Sequence, residues 1–371
     1  MRILIDTRLL AKGGTSGIEE YTQNLLQSLF LLDRENQYFL FYNALFKKPL
    51  DLPAPGNNVR LMDWRIPNKI LDSTMRWLRW PRVDAAVGAD LIFSPHFNLL
   101  ARGRAPRVIT FHDLSFIHHP YFFSWRQRFW HWLQDVRRQA KEADRIIAVS
   151  EFTKADLVNT LGIAPEKIEV VYSGIAEGFK PADQANPPLV SAPYILYLGT
   201  LEPRKNIESL IRAFSLIKQQ AALKDFKLVL AGRPGWLYGT ILKEAKLSSF
   251  RRDIIFWGAA TDQERIKLLQ EARLFVYPSF FEGFGLPPLE AQACGCPVIA
   301  ANRTSLPEVI GLSGLLVDPW KVQELAEAMQ SVLTKDGLRK ELITAGLRNS
   351  RRFQWMDTAK QVLSILRSTH S

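Results

Sequence analysis

The chain has 371 residues, a formal charge of +11, a hydrophobic share of 47% and two cysteines. That length exceeds what one hydrophobic core usually serves, so two domains are expected, and the apolar share is that of an ordinary globular protein. No apolar run reaches a membrane span, and no signal peptide is expected where Met1 to Asp6 passes straight into a short strand; Cys294 and Cys296, one residue apart, offer neither a disulfide framework nor a four-ligand zinc site.

A reducing, cytoplasmic setting is therefore expected. The basic excess is spread along the chain and calls for an anionic partner without choosing among nucleic acid, a phospholipid surface and a sugar nucleotide.

In chain order, Arg2 to Thr7 reads as a short strand, and Gly13, Gly14 and Gly17 punctuate the loop after it. Apolar residues at helical spacing run from Ile18 to Leu32. A glycine loop between first strand and first helix admits phosphate or acceptor close to the backbone, but the spacing is not that of a dinucleotide fingerprint, and a plain turn is the alternative. Further strands are expected at Tyr38 to Tyr42, Leu91 to Ser94, Arg107 to Phe111, Arg145 to Val149 and Ile168 to Tyr172. Helical stretches separate them, which argues for a doubly wound parallel sheet. His112-Asp113 falls at the carboxyl end of its strand, where such sheets place their chemistry. A metal cluster of Asp113 with His118 and His119 is the weaker reading, because adjacent histidines point apart.

Two segments, 64–82 and 122–132, interleave tryptophan with arginine as a membrane-surface helix does. The alternative is a pair of amphipathic helices whose aromatic faces are core.

The run from Phe179 to Pro193 is proline-rich and without period, and is the expected linker. Domains are drawn at 1–180 and 194–354, with 181–193 between them and 355–371 as a terminal helix. Strands restart at Tyr194 to Leu198, Lys227 to Leu230 and Ile254 to Trp257. After the first of these, Arg204 and Lys205 stand at a helix start, where adjacent cations work against the dipole unless an anion is near. Gly232 closes the second strand, and Gly258 and Ala259 the third. Thr261 to Glu264 is a capping box. Thr304-Ser305 opens a further helix, and helical periods follow to Leu366.

The most informative stretch is Tyr277-Pro278-Ser279-Phe280-Phe281-Glu282-Gly283-Phe284-Gly285-Leu286-Pro287-Pro288-Leu289-Glu290. A buried strand, Leu274 to Tyr277, stops at Pro278; a glycine loop follows, prolines open a helix, and Cys296 to Ala301 makes the next strand. The loop lets the backbone approach a ligand, and the helix N-terminus favours an anion. Glu282 and Glu290, read as lying at the loop head and in the first helical turn, border the anion site rather than neutralise cations in it. Carboxylates accept hydrogen bonds, and paired sugar hydroxyls offer them.

Glu, seven residues, Glu, with Gly-Phe-Gly-Leu-Pro between, resembles the signature of the retaining family 4 glycosyltransferases. The resemblance implies a GT-B fold, two Rossmann-like doubly wound α/β domains facing across a cleft. It implies that Glu282, Gly283, Phe284, Gly285 and Leu286 hold the donor sugar and Glu290 the nucleotide ribose, while Arg204 and Lys205 bind the diphosphate. Gly13, Gly14 and Gly17 would face the donor, His112 would reach the sugar near its reacting carbon, and the base would rest near Gly232, Gly258 and Ala259. No metal and no cofactor are implied.

Gly17-Ile18-Glu19-Glu20-Tyr21 and the Glu282 loop look most like bacterial mannosyl- and rhamnosyltransferases of polysaccharide assembly. A GDP-linked donor, a lipid-linked or growing glycan acceptor, and peripheral contact at the inner face of the cytoplasmic membrane are thus expected, with a UDP-sugar second. The rival from another class is a non-catalytic nucleotide-sugar or nucleic-acid-binding protein on the same fold; the two acids argue against a polyanion.

Overall fold

A computed structural model describes residues 1–13, 17–46, 56–101, 103–183 and 187–370. Gly14 lies outside the described residues. The chain divides into two compact units, one of residues 1–174 with 354–371 and one of residues 175–353. Residues 175–193, which the sequence reading splits between the first domain and a linker, therefore group with the second unit.

Among the described residues the first unit holds seven strands: β1 (Arg2–Asp6), β2 (Gln37–Asn43), β3 (Val59–Trp64), β4 (Leu91–Ser94), β5 (Arg107–Phe111), β6 (Arg145–Ala148) and β7 (Ile168–Val170). They pair in parallel in the order β3-β2-β1-β4-β5-β6-β7. The order reverses between β1 and β4, so the loops leaving those two strands diverge and open a crevice at their carboxyl ends. The central strands are apolar nearly throughout because helices cover both faces. The closing helix Trp355–His370 packs on the helix Gly17–Leu32, with Trp355 edge-on to Tyr21 at 5.5 Å.

The second unit holds β8 (Tyr194–Leu198), β9 (Lys227–Ala231), β10 (Ile254–Gly258), β11 (Leu274–Tyr277), β12 (Val298–Ala301) and β13 (Leu315–Val317), in the order β10-β9-β8-β11-β12-β13, all parallel. Its switch point lies between β8 and β11. Both units are thus Rossmann-like parallel sheets with helices.

Three elements depart from the sequence reading. The segment 64–82 is not one surface helix: Trp64 ends β3 and packs edge-on against Phe41 at 5.1 Å, and the helix runs only over Asn68–Trp77. The segment 122–132 begins with buried Phe122, and its helix starts at Trp125, behind a capping box of Ser124 and Gln127. The helix after the glycine loop starts at Leu286 rather than Pro287, and Glu290 is its fifth residue, past the first turn.

Candidate active site

In the second unit, the loops after β8 and β11 are stitched together at the switch point. Phe280 N–H donates to the Arg204 carbonyl at 2.9 Å, and the Arg204 guanidinium returns a bond to the Phe281 carbonyl at 3.0 Å. Asn206, in the left-handed region that asparagine tolerates (φ 57°), donates to the carbonyls of Pro278 and Pro319 at 3.1 and 2.8 Å. These bonds fix where Arg204 and Lys205 stand relative to Glu282.

The Lys205 ammonium donates to Glu282 Oε1 at 2.6 Å and to the Tyr277 hydroxyl at 2.8 Å. Arg204 lies 3.7 Å from Glu282 Oε2, and its Nε donates to Glu202 at 3.1 Å. Lys205, Glu282 and Glu202 are all buried. Burial pushes the Glu282 carboxyl up, but Lys205 and Arg204 outweigh it and hold it below the usual carboxylate range. Burial and the neighbouring Arg204 pull the Lys205 ammonium below its ordinary value, against Glu282 and Glu202.

The expectation that the carboxylates merely border an anion site is corrected here. Glu282 neutralises the very cations whose placement looked costly, so two cations and two carboxylates form a charge-balanced cluster. Glu290 likewise has a cation: Arg265 Nη2 donates to its two oxygens at 3.0 and 3.1 Å, with the guanidinium 5.5 Å from the Phe179 ring centre. Arg265 also reaches Asp262 at 3.3 Å.

The loop between the acids is held from behind. Thr304 Oγ1 accepts the Glu282 N–H at 3.1 Å, and Ser305 Oγ donates to the carbonyls of Glu282 and Phe284 at 3.0 and 2.9 Å. Thr304 sits at φ 56°, a costly conformation for a β-branched residue and one that clusters at functional loops. Gly283 and Gly285 are buried, the Phe284 ring packs inward on Phe353 at 5.8 Å, and Leu286 opens the helix. Gly285 needs its glycine, since φ is 103° and a Cβ would meet Leu306 at 2.6 Å. Gly232 also does, because a Cβ there would meet the Gly199 carbonyl oxygen at 1.8 Å. The loop of Gly258 and Ala259 is half-open to solvent.

In the first unit, His112 lies directly after β5. Its Nε2 donates to the Pro95 carbonyl at 2.9 Å, which fixes the tautomer and leaves Nδ1 as the acceptor; burial lowers its pKa. Tyr21 stands edge-on to its ring at 4.7 Å, and the His96 ring is 6.2 Å away. Gly13 closes the short 3-10 turn Arg8–Lys12 in the left-handed region, and Gly17 is the first residue of its helix with open space where a Cβ would be. His118 pairs with Asp156 at 2.6 Å and Asp113 accepts from Ser115 at 2.7 Å, so they do not converge.

The sequence reading brings Arg204, Lys205 and Glu282 together, as the structure does. It misses Glu202, the Tyr277 hydroxyl, Asn206 and Arg265. Only Asn206 carried a signal, an asparagine at a loop-to-helix junction.

Comparison with known proteins bears on the whole chain. The family described as Glycosyltransferase Family 4 matches residues 15–178, and that described as Glycosyl transferases group 1 matches residues 180–348. O-antigen chain mannosyltransferase B of Escherichia coli is 29% identical over 382 aligned residues, covering 98% of this chain and 99% of the relative. Among solved structures, sucrose-phosphate synthase from Thermosynechococcus elongatus superposes with TM-score 0.80 at 21% identity over 99% of this chain and 98% of that one. Anabaena HepE, solved in complex with UDP and glucose, does so with TM-score 0.74 at 20% identity over 99% and 100%. The chain is a glycosyltransferase, a hexosyltransferase of GT-B fold that belongs to the enzymes joining a family 4 domain to a group 1 domain.

Proposed function

We propose that the chain moves a hexose, mannose or a deoxy relative, from a GDP-linked donor to a lipid-linked or growing polysaccharide acceptor, with retention of anomeric configuration and without a metal ion. The observation that carries this reading is the 2.6 Å pairing of Lys205 with Glu282 at the second sheet's switch point. A cation suited to a diphosphate and a carboxylate suited to sugar hydroxyls hold one another there. An isolated buried charge costs several kcal/mol, so neither is released without a replacement. A donor supplies both replacements at once, phosphate oxygens for Lys205 and Arg204 and hydroxyls for Glu282. Diphosphate and sugar recognition are thereby coupled.

In this reading the acceptor hydroxyl attacks the anomeric carbon on the side of the leaving diphosphate. The carbon–oxygen bond to phosphate breaks with its electron pair going to the diphosphate, and a phosphate oxygen takes the acceptor's proton. Arg204 and Lys205 stabilise the charge that develops, which is the task a metal would otherwise perform. Glu282 and His112 position the sugar, with His112 Nδ1 free to accept a hydroxyl. Glu290 accepts the ribose hydroxyls, the base rests by Gly232, Gly258 and Ala259, and Gly13, Gly14 and Gly17 admit phosphate or acceptor.

Mannose is supported by the name of the Escherichia coli relative. A UDP-linked donor is the second reading, supported by the ligands of HepE. A nucleic-acid partner has less support, because Arg204 and Lys205 are paired within the protein instead of lining an open basic groove. The acceptor is expected at the cytoplasmic face of the membrane.

Donor hydrolysis screened across GDP- and UDP-sugars tests the donor, proton NMR of the product tests retention, and activity in chelator tests metal independence. Glu282→Ala and Lys205→Ala are expected to lose at least a hundredfold in turnover. Unimpaired transfer by both overturns the site.

A further inference from the structure

The helix Trp125–Gln134 has an inverted face. Residues i, i+4 and i+7 form one stripe, which on a surface helix ordinarily turns inward. Here that stripe is Trp125, Phe129 and Trp132, and they are 72%, 56% and 54% exposed. On the other side Leu133 and Gln134 are buried, and Trp130 stacks parallel to His96 at 6.1 Å.

The neighbouring helix Asn68–Trp77 ends at Trp77 and is followed by Leu78, Arg79 and Trp80, all four exposed, with Trp77 and Trp80 at 68% and 63%. Arg76 joins the two elements into one face. Its guanidinium donates to the carbonyls of Trp132 and Leu133 at 2.8 and 2.9 Å, and lies 4.5 Å from the Trp132 ring centre and 5.4 Å from that of Trp77. Around the rings stand exposed Arg79, Arg82, Arg126 and Arg128, and neither 76–82 nor 121–132 contains an acidic residue. Of the acids that follow the two segments, Asp84 is buried and accepts the Arg104 N–H at 2.9 Å, and Asp135 is taken by Arg76 and Arg138.

We propose that Trp77, Leu78, Trp80, Trp125, Phe129 and Trp132, with the arginines among them, seat the first unit on the surface of an anionic phospholipid bilayer. Tryptophan holds an apolar ring at the acyl boundary with its N–H toward water, and arginine reaches phosphate from an apolar stem. A second copy of the chain fits poorly. A two-fold contact sets a patch against itself, and this one would bring arginines against arginines with no acidic residue in either segment to pair them, a like-charge juxtaposition that opposes association.

The docking deepens the functional reading above and rests on it only for its purpose, delivery of a lipid-linked acceptor. The helix that meets lipid on one side touches His96 on the other, so the carboxyl-end loops of β4 and β5 lie one helix diameter, about 10 Å, from the headgroups.

The full chain is sedimented with vesicles of phosphatidylglycerol and phosphatidylethanolamine, and with phosphatidylcholine alone. Binding is expected to the anionic vesicles, weakening as salt rises, and to be at least tenfold lower on phosphatidylcholine. The triple variant Trp125→Ala, Phe129→Ala, Trp132→Ala is expected to lose tenfold or more in bound fraction while donor hydrolysis in solution stays unchanged. Vesicles with brominated acyl chains should quench the wild-type tryptophan fluorescence, a reading that needs no variant. No quenching, undiminished binding by the variant, a concentration-dependent dimer without vesicle binding, or preference for a single-stranded oligonucleotide over the vesicles would each overturn the proposal. The sedimentation and quenching readouts use no sugar donor, so failure of the docking and failure of the transfer reading are told apart.

Discussion

Lys205 and Glu282 form a buried pair in which each partner's cost is met by the other, and removing one should be read as loss of stability before loss of chemistry. Lys205→Met takes from the Glu282 carboxylate its closest cation, leaving Arg204 at 3.7 Å, and is expected to cost about 3 kcal/mol, measured by denaturant unfolding. Adding Glu282→Leu should restore most of that stability while transfer remains absent; a double variant no more stable than the single one would contradict the pairing. Arg265 makes its claim through Glu290. Arg265→Gln is expected to raise KM for the donor about tenfold with a small change in kcat, since one charge-assisted contact is typically worth 1.5–3 kcal/mol. It should also erase the preference for ribonucleotide over 2′-deoxyribonucleotide donors, whereas a merely structural arginine would weaken both donors alike.

His131 gives a pH test at the same scale. Its ring stacks on Phe116 at 4.3 Å, and burial lowers its pKa to about 4. The unfolded chain takes up a proton near the ordinary histidine value that the folded state refuses. Stability is therefore full above about pH 6.5 and falls as pH drops toward 4, by at most about 3 kcal/mol. His131→Phe should flatten that part of the unfolding profile; an unchanged slope would contradict the assignment.

Elements were legible in the sequence where burial left a clean pattern. Tyr194–Leu198 and Leu274–Tyr277 are buried at every position, and a short apolar run between turn signals is what a central parallel strand requires. Of the edge strands, β7 and β10 were legible and β3 and β13 were not. β3 reads Val-Arg-Leu-Met-Asp-Trp and is half exposed, and β13 has only three residues, so neither has the continuous apolar run that marks a strand covered on both faces. The capping box of Thr261 and Glu264 was legible because it depends on local spacing alone, with bonds of 3.2 and 2.8 Å. Thr261→Ala is expected to cost about 1 kcal/mol, read as a lower midpoint of unfolding, and, because Arg265 sits on the same helix, to raise donor KM as well.

At the scale of the whole molecule, two parallel sheets each reverse their strand order once, and the chemistry-bearing residues collect at carboxyl ends of strands: after β8 and β11, which flank the second reversal, and after β5, one strand beyond the first. The sequence carried this through Glu282, Arg204, Lys205 and His112, because glycines, prolines and charges in loops after apolar runs mark carboxyl ends of strands. It could not carry the pairing of the acids with Lys205 and Arg265. Those contacts join residues 77 and 25 positions apart and depend on how the loops fold onto one another.

The central claim is that Lys205 and Glu282 exchange each other for a donor. Crystals soaked with a nucleoside diphosphate measure this directly. The account predicts the diphosphate between the turn 203–205 and the loop 282–286, with the Lys205 ammonium moved from Glu282 onto phosphate oxygen. A diphosphate bound elsewhere while the Lys205–Glu282 pair stays intact would contradict it.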